Sequence, residues 1–221
     1  MTLVADDWRL TEDYQLHEDS FGSLMDWSHQ GRLGNWLTLN GKTDPVVSVA
    51  SGTVRLRLVN AANARVLAFR LGADMPMRVV ALDGAPCDPF DLQTIRLAPA
   101  QRADLMVEMP AGELSLEEVS TGEPIGAAML QANEPAPGSV SQPALKTWFD
   151  WPDLSGARVI DVHMQGGAMG NLASAEFEGE VLALRDLAQE HSKLWAFNGI
   201  VGGYHHQLAD LALGEVTVLR V

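Results

Sequence analysis

The sequence predicts an all-β fold: an antiparallel sandwich or barrel, followed by the opening of a second β domain related to it. Short alternating or β-rich runs recur between residues 46 and 131, separated by turns carrying Gly and Pro, the pattern of sandwich and barrel proteins. A strand-turn-strand pattern also occurs twice, at residues 36–59 and 195–221. Its long period argues for tandem domains of one kind and against a short-repeat solenoid.

In the first copy Trp36 precedes Asn40-Gly41, and Gly52 opens the run Thr53-Val54-Arg55-Leu56-Arg57-Leu58-Val59. In the second, Trp195 precedes Asn198-Gly199, and Gly214 opens Glu215-Val216-Thr217-Val218-Leu219-Arg220-Val221. Each copy reads as a short strand, a turn at Asn-Gly, a connector, a turn Gly and a strand whose apolar residues alternate. Strands are expected over residues 46–49, 53–59, 65–71, 77–82, 93–97, 103–108, 113–119 and 127–131. Asp83-Gly84-Ala85-Pro86, Pro110-Ala111-Gly112 and Thr121-Gly122-Glu123-Pro124 supply turns between them.

These elements define a domain over residues 1–133 that includes an N-terminal lead-in. Residues 134–157 read as a semi-stiff linker. Glu134-Pro135-Ala136-Pro137-Gly138-Ser139 and Pro143 interrupt the strand pattern there, and Trp148-Phe149-Asp150-Trp151-Pro152 offers aromatic anchors. In residues 158–221 strands are expected at 158–164, 180–184, 194–197 and 215–221, with a helix at 185–191. This piece is too short for a full copy of the first domain, so unpaired strand edges and a half-covered core are expected in it.

Hydrophobic residues fill 47% of the 221 positions, enough to build a core. Against 15 basic residues stand 29 acidic ones, a formal charge of −14. Phosphate recognition rests on Lys and Arg, so nucleic acid is not an expected partner, and the acidity reads as solubility. The single cysteine, Cys87, cannot form an intrachain disulfide and leaves the redox compartment open. Met1-Thr2-Leu3-Val4-Ala5-Asp6-Asp7 has neither a basic n-region nor an apolar h-region. No apolar run approaches the ~18 residues of a membrane span, so neither an export signal nor an anchor is expected within these residues.

Several apparent motifs fail on their context. Gly41-Lys42-Thr43 imitates the end of a phosphate loop, but Trp36 holds the place of its first glycine and the surroundings are strand and turn. ATP binding is the expectation ranked lowest. Gly166-Gly167-Ala168-Met169-Gly170 lacks the helix and ribose-binding acid of a dinucleotide site and reads as a flexible or bulged connection. There is no Ser-centred nucleophile elbow, and the pairs Asp6-Asp7 and Glu117-Glu118 read as solvated surface. Trp8, Trp27 and Trp36 with Phe21 compose either an aromatic platform for a sugar or, as expected here, packing of the lead-in against the sandwich or a further domain.

Three stretches act together. Leu37-Thr38-Leu39-Asn40-Gly41 leads through Pro45 and Gly52 to Arg55-Leu56-Arg57-Leu58-Val59-Asn60-Ala61-Ala62-Asn63-Ala64-Arg65. Val80-Ala81-Leu82-Asp83-Gly84 is followed by Leu97-Ala98-Pro99-Ala100-Gln101-Arg102-Ala103-Asp104-Leu105-Met106-Val107. Trp195-Ala196-Phe197-Asn198-Gly199 is followed by Gly214 to Val221. In this order they resemble the multicopper oxidase family, laccase-like enzymes built from consecutive cupredoxin domains. The first two stretches are similar to its middle domain, with its aspartate-glycine turn and its proline-x-glutamine-arginine-x-aspartate strand; the third is similar to the opening of its final domain. Ala100 stands where a glycine is usual. The resemblance implies Greek-key cupredoxin folds, the second of them incomplete. Asp83-Gly84 suits a tight hairpin, and Arg102 can pair with Asp104 or with backbone carbonyls.

The resemblance also implies copper chemistry in the parent protein. A mononuclear copper held by two His and one Cys takes electrons from a phenolic or metal-ion substrate, and a trinuclear cluster held by His-x-His pairs reduces dioxygen to water. The ligands belong to the first and last domains, and the middle domain is a spacer. Of His17, His29, His163, His191, His205 and His206, no two form His-x-His. Cys87 lies between Pro86 and Asp88 with no histidine near it in sequence, and reads as a turn-adjacent or partly buried thiol. His163-Met164 with Met169 offers a loose copper site or, as expected, a strand end with Met as gap filler. Tyr204-His205-His206 offers an auxiliary metal site or a substrate approach; surface or packing roles are expected, because adjacent strand residues point to opposite faces.

No catalytic, cofactor or metal residue is therefore assigned within the chain. Copper is expected in the parent, through ligands elsewhere, with flanking cupredoxin domains as partners and an exported or periplasmic residence. The expected role is a scaffold segment of a copper oxidase. The alternative is a copper-free cupredoxin-fold structural or binding protein of the bacterial cell envelope.

Overall fold

The computed structural model describes residues 1–135, 150–203 and 206–221. Pro137, Gly138, Ser139, Pro143, Trp148 and Phe149 of the expected linker, and the pair Tyr204-His205, lie outside the described residues. The chain divides into two compact units: Met1–Ser20 with Arg32–Phe149, and Phe21–Gly31 with Asp150–Val221.

The first unit contains β1 (Thr2–Trp8), β2 (Trp36–Leu39), β3 (Val46–Asn60), β4 (Leu67–Leu71), β5 (Met77–Leu82), β6 (Ala85–Leu92), β7 (Thr94–Leu97), β8 (Arg102–Met109), β9 (Gly112–Glu118) and β10 (Ile125–Pro135). The strands follow the order β6-β5-β8-β3-β10-β9-β4-β7, with β1 joined to β3 and β2 to β1, and the sheet winds into a near-closed barrel. The expected all-β, cupredoxin-like architecture is present. Strand β3 joins the two expected runs 46–49 and 53–59 into one. Its first part pairs with β10 and its second with β8, and Gly52, at φ +91°, marks the change of partner.

Alternation fills the interior. Leu56 and Leu58 of β3, Leu105 and Val107 of β8, Leu67 and Phe69 of β4, Leu116 of β9 and Leu130 of β10 are buried together. Each buried side chain of this size contributes roughly 1.5–3 kcal/mol. Two strands escape the sequence expectation. β1 lies in the lead-in, and β6 begins at Ala85, inside the expected turn. Asp83 (φ +51°) and Gly84 (φ +87°) complete a two-residue hairpin, so Ala85 already pairs with Leu82.

The second unit contains α1 (Leu24–Ser28), β11 (Arg158–Asp161), β12 (Met164–Gly166), β13 (Ser174–Phe177), β14 (Glu180–Ala183), α2 (Leu184–His191), β15 (Trp195–Phe197) and β16 (Thr217–Arg220). β11 pairs with β16, β12 with β15, and β13 with β14. Strand β13 was not expected. A small core gathers Leu172, Ala175, Leu187, Ala196 and Val201. The Trp195 indole N–H donates to the Trp27 carbonyl at 2.7 Å, and the Ala168 N–H to the Ser28 carbonyl at 2.6 Å. The glycine-rich run makes room for this. A Cβ on Gly167 would sit 2.5 Å from the Trp195 ring, and one on Gly166 2.0 Å from the Leu194 carbonyl oxygen.

The two sequence copies share one hydrogen-bonded device. Asn40 and Asn198, at φ +51° and +52°, each precede a Gly with positive φ. The Asn40 side chain accepts from the Val4 amide (2.8 Å) and donates to the Thr2 carbonyl (3.3 Å). The Asn198 side chain accepts from the His163 amide (2.7 Å) and donates to the Asp161 carbonyl (3.2 Å). Leu39 and Lys42 exchange backbone hydrogen bonds, as do Phe197 and Ile200. In each unit the Asn-Gly turn thus clasps a preceding strand, satisfying backbone groups of that segment.

Candidate functional site

The family-like motif residues turn out to tie strands together. Asp104 of β8 accepts from Arg57 Nε at 2.6 Å, from Arg57 Nη2 at 2.9 Å and from Arg55 Nη2. Hydrogen bonding from Arg57 is the largest influence on its carboxyl, which is held below the usual carboxylate range although burial opposes this. Of the two partners expected for Arg102, the backbone is the one it takes: it donates to the Ala100 and Asp83 carbonyls at 3.0 and 2.7 Å. Asp104 faces Arg55 and Arg57 because all three lie on the outer face of neighbouring β3 and β8. Ala100 has φ +68°, which explains why glycine suits that place. Asn60 is fully buried; its side chain donates to the Arg65 and Leu97 carbonyls, both at 2.8 Å, and accepts from the Ala62 amide at 2.9 Å.

The expectation that Asp6-Asp7 and Glu117-Glu118 are solvated surface is overturned. Asp7 and Glu118 are each only 2% exposed. Strand parity explains it: Asp7 continues the inward register of Leu3 and Ala5 on β1, and Glu118 that of Leu114 and Leu116 on β9. Asp7 Oδ2 accepts from the Gly34 amide at 2.6 Å and from Arg65 Nε at 2.8 Å, while Arg65 Nη2 donates to the Gly34 carbonyl at 2.5 Å. Gly34 is needed there, since a Cβ would lie 2.5 Å from the Trp8 nitrogen. Glu118 Oε1 accepts from the Ala68 amide at 3.0 Å and the Ser120 amide at 2.8 Å. Glu117 pairs with Arg70, whose Nη2 lies 2.6 Å away. Burial pushes the Asp6 carboxyl up.

Asp7, Arg65 and Glu118 share a cavity of about 170 Å³ with Trp36, Leu67 and Ile125. The Trp36 indole donates to Thr43 Oγ1 at 2.7 Å, and the Tyr14 ring meets it edge-on at 5.1 Å. Thr43 therefore braces an indole, and β3 rather than a helix follows the Gly41-Lys42-Thr43 turn. Trp8 donates to Thr38 Oγ1 at 3.1 Å between β1 and β2. Trp27 and Phe21 belong to the second unit, and both are exposed.

The described residues do not fit a copper centre. Among the described residues, no three His, Cys, Asp or Glu side chains gather as a metal set. His17 Nδ1 accepts from the Asp19 amide, the His29 ring contacts Ser28 and Met25 of its own helix, and the His191 ring leans on Phe177. Met164 and Met169 are 51% and 94% exposed, so the expectation that methionine fills a gap there is wrong. Gly166 and Gly167, at φ +114° and +74°, end β12 in a turn. Cys87 lies half-buried on β6 against the core; burial, and next Asp88, push its thiol up.

The multicopper oxidase family model matches residues 1–114. The chain belongs to the multicopper oxidase family. Among curated relatives, cell division protein FtsP of Edwardsiella tarda is 42% identical over 87 residues, covering 39% of this chain and 18% of the relative. FtsP of Yersinia pestis is 40% identical over 98 residues, covering 43% and 20%. The matched regions span about a fifth of these relatives. A multicopper oxidase from Pseudomonas thermotolerans superposes with a TM-score of 0.64 at 28% identity, over 74% of this chain and 40% of that one. A bacterial laccase-like multicopper oxidase from Ochrobactrum, with oxidase activity towards lignin model compounds, gives 0.61 at 26%, over 73% and 38%. No helix among the described residues is long and apolar enough to cross a membrane.

Proposed function

We propose that this chain is a copper-free cupredoxin scaffold with a role in bacterial cell division at the envelope, and that the second unit is the first part of a further cupredoxin domain. The observation that carries the reading is the identity, 42% over 87 residues and 40% over 98, to proteins named cell division protein FtsP. The use of the motif residues agrees with it, because Asn60, Arg102 and Asp104 spend their polar groups on backbone and on neighbouring arginines. Among the described residues of the second unit β16 pairs only with β11, whereas its counterpart, residues 53–59 of β3, pairs with both β1 and β8. Val159, Leu219 and Val221 are exposed beside that edge, which favours further strands as its partner.

A second reading keeps the chain as the spacer of a copper oxidase, favoured by the superposition on the Pseudomonas thermotolerans enzyme. Metal analysis of the full-length protein carrying this chain, purified after growth with copper, separates the two. Copper retained through dialysis, together with phenol-dependent oxygen consumption, would sink the scaffold reading. Metal-free protein that restores septation to a deletion strain supports it.

A further inference from the structure

We propose that the C-terminal end of α1 carries a surface site for a soft monovalent cation, Cu⁺, with Met25, His29 and Met169 as its ligands. Met25 lies on α1 and His29 is its C-cap, a separation of four residues that places two side chains on one face of a helix. The segment that ends in Met169 closes on the same end, because the Ala168 N–H donates to the Ser28 carbonyl at 2.6 Å. Two thioethers and one imidazole therefore meet at one helix end, all within the second unit. Thioether sulfur is the donor that selects Cu⁺ over harder divalent ions.

The histidine is already set for coordination. Its Nδ1 lies 2.8 Å from the Met25 carbonyl oxygen and 2.9 Å from Ser28 Oγ. A carbonyl can only accept, so Nδ1 carries the proton and Nε2 of the neutral ring keeps its lone pair. A hydrogen bond from one ring nitrogen to a backbone carbonyl is what fixes the tautomer and orientation of metal-binding histidines. Nε2 has no hydrogen-bond partner among the described residues. Met25 and Met169 are exposed and stand outside the small core around Leu187, so both side chains are open to an ion from solvent. The set has no thiolate and a single imidazole, unlike a cupredoxin copper centre, and it is independent of both functional readings above.

The test titrates the 221-residue chain, isotope-labelled at methionine methyls and histidine rings, with Ag⁺ as a redox-stable soft ion and then with Zn²⁺, reading NMR shifts. The Met25 and Met169 methyls and His29 Nε2 should move together and saturate at one Ag⁺ per chain. The Met164 methyl, equally accessible on β12, should stay still. Met169→Leu and His29→Ala should each weaken Ag⁺ binding at least about tenfold, near 1.4 kcal/mol. Absence of saturable shifts, unchanged affinity in Met169→Leu, or displacement of Ag⁺ by equimolar Zn²⁺ would overturn the site. So would a Met164 shift that follows the same titration curve, which would mean binding to any exposed thioether. His29→Ala also removes the bond to the Met25 carbonyl; if that variant fails to fold, Met169→Leu, at an exposed position, decides alone.

Discussion

Asp104→Asn tests whether the arginine-aspartate cluster holds β3 to β8. The carboxylate accepts three hydrogen bonds from Arg55 and Arg57. A hydrogen bond to a charged group is worth about 1.5–3 kcal/mol when sheltered. Here the guanidinium side chains are 40% and 48% exposed, so solvent screening lowers each bond to about 0.5–1 kcal/mol. The sum is about 2 kcal/mol, and the amide also leaves two cations side by side. With a urea m-value near 2 kcal/mol/M, the midpoint should fall by about 1 M at unchanged m.

The pH dependence fixes the cause. The folded carboxyl lies below its ordinary value because of Arg57 hydrogen bonding, then Arg55. Its stabilisation is therefore complete above the unfolded pKa, near 4, and is lost as pH falls through the lower folded value. Wild type and variant should differ fully at neutral pH and converge in acid. A double-mutant cycle with Arg57→Met isolates the pair. A midpoint shift under ~0.2 M, or a shift that persists unchanged in acid, would refute the reasoning.

Ala100→Gly should raise the melting temperature by about 2–4 °C, since it relieves a residue held at φ +68° at some cost in unfolded-chain entropy; a lower melting temperature counts against the strain. Gly166→Ala places a methyl 2.0 Å from the Leu194 oxygen, so hydrogen exchange at residues 195–197 should accelerate while β3 and β8 keep their protection. Cys87, its thiol raised by burial and then by Asp88, should alkylate more slowly at pH 7 than glutathione and gain rate only as pH passes the ordinary thiol value near 8.5. Burst labelling at neutral pH would contradict that environment.

Much of the fold is readable from residue patterns because its turns are chemically marked. Asn40-Gly41 and Asn198-Gly199 announce the paired hairpins, and Asp83-Gly84 announces a third. β6 was hidden because Pro86, Asp88 and Pro89 disguise a half-exposed edge strand as a loop. The cavity was hidden for a subtler reason. Charge marks a residue as surface, yet counting by twos from Leu3 reaches Asp7, and from Leu114 reaches Glu118. Parity was the available signal, and it overrides charge where a partner such as Arg65 waits inside. Family motif residues were visible as a set, but their job of joining strands follows from pairing register, which sequence spacing alone does not give.

Phe21–Gly31 leaves the first unit after Ser20, contributes α1 to the second, and returns at Arg32. The frontier between the units is consequently not one point along the polypeptide but three crossings. Recombination that exchanged everything after residue 150 for a foreign sequence would strand Trp27 and Ser28 without Trp195 and Ala168 to bond. Inheritance of the second unit therefore requires inheritance of the loop between β1 and β2.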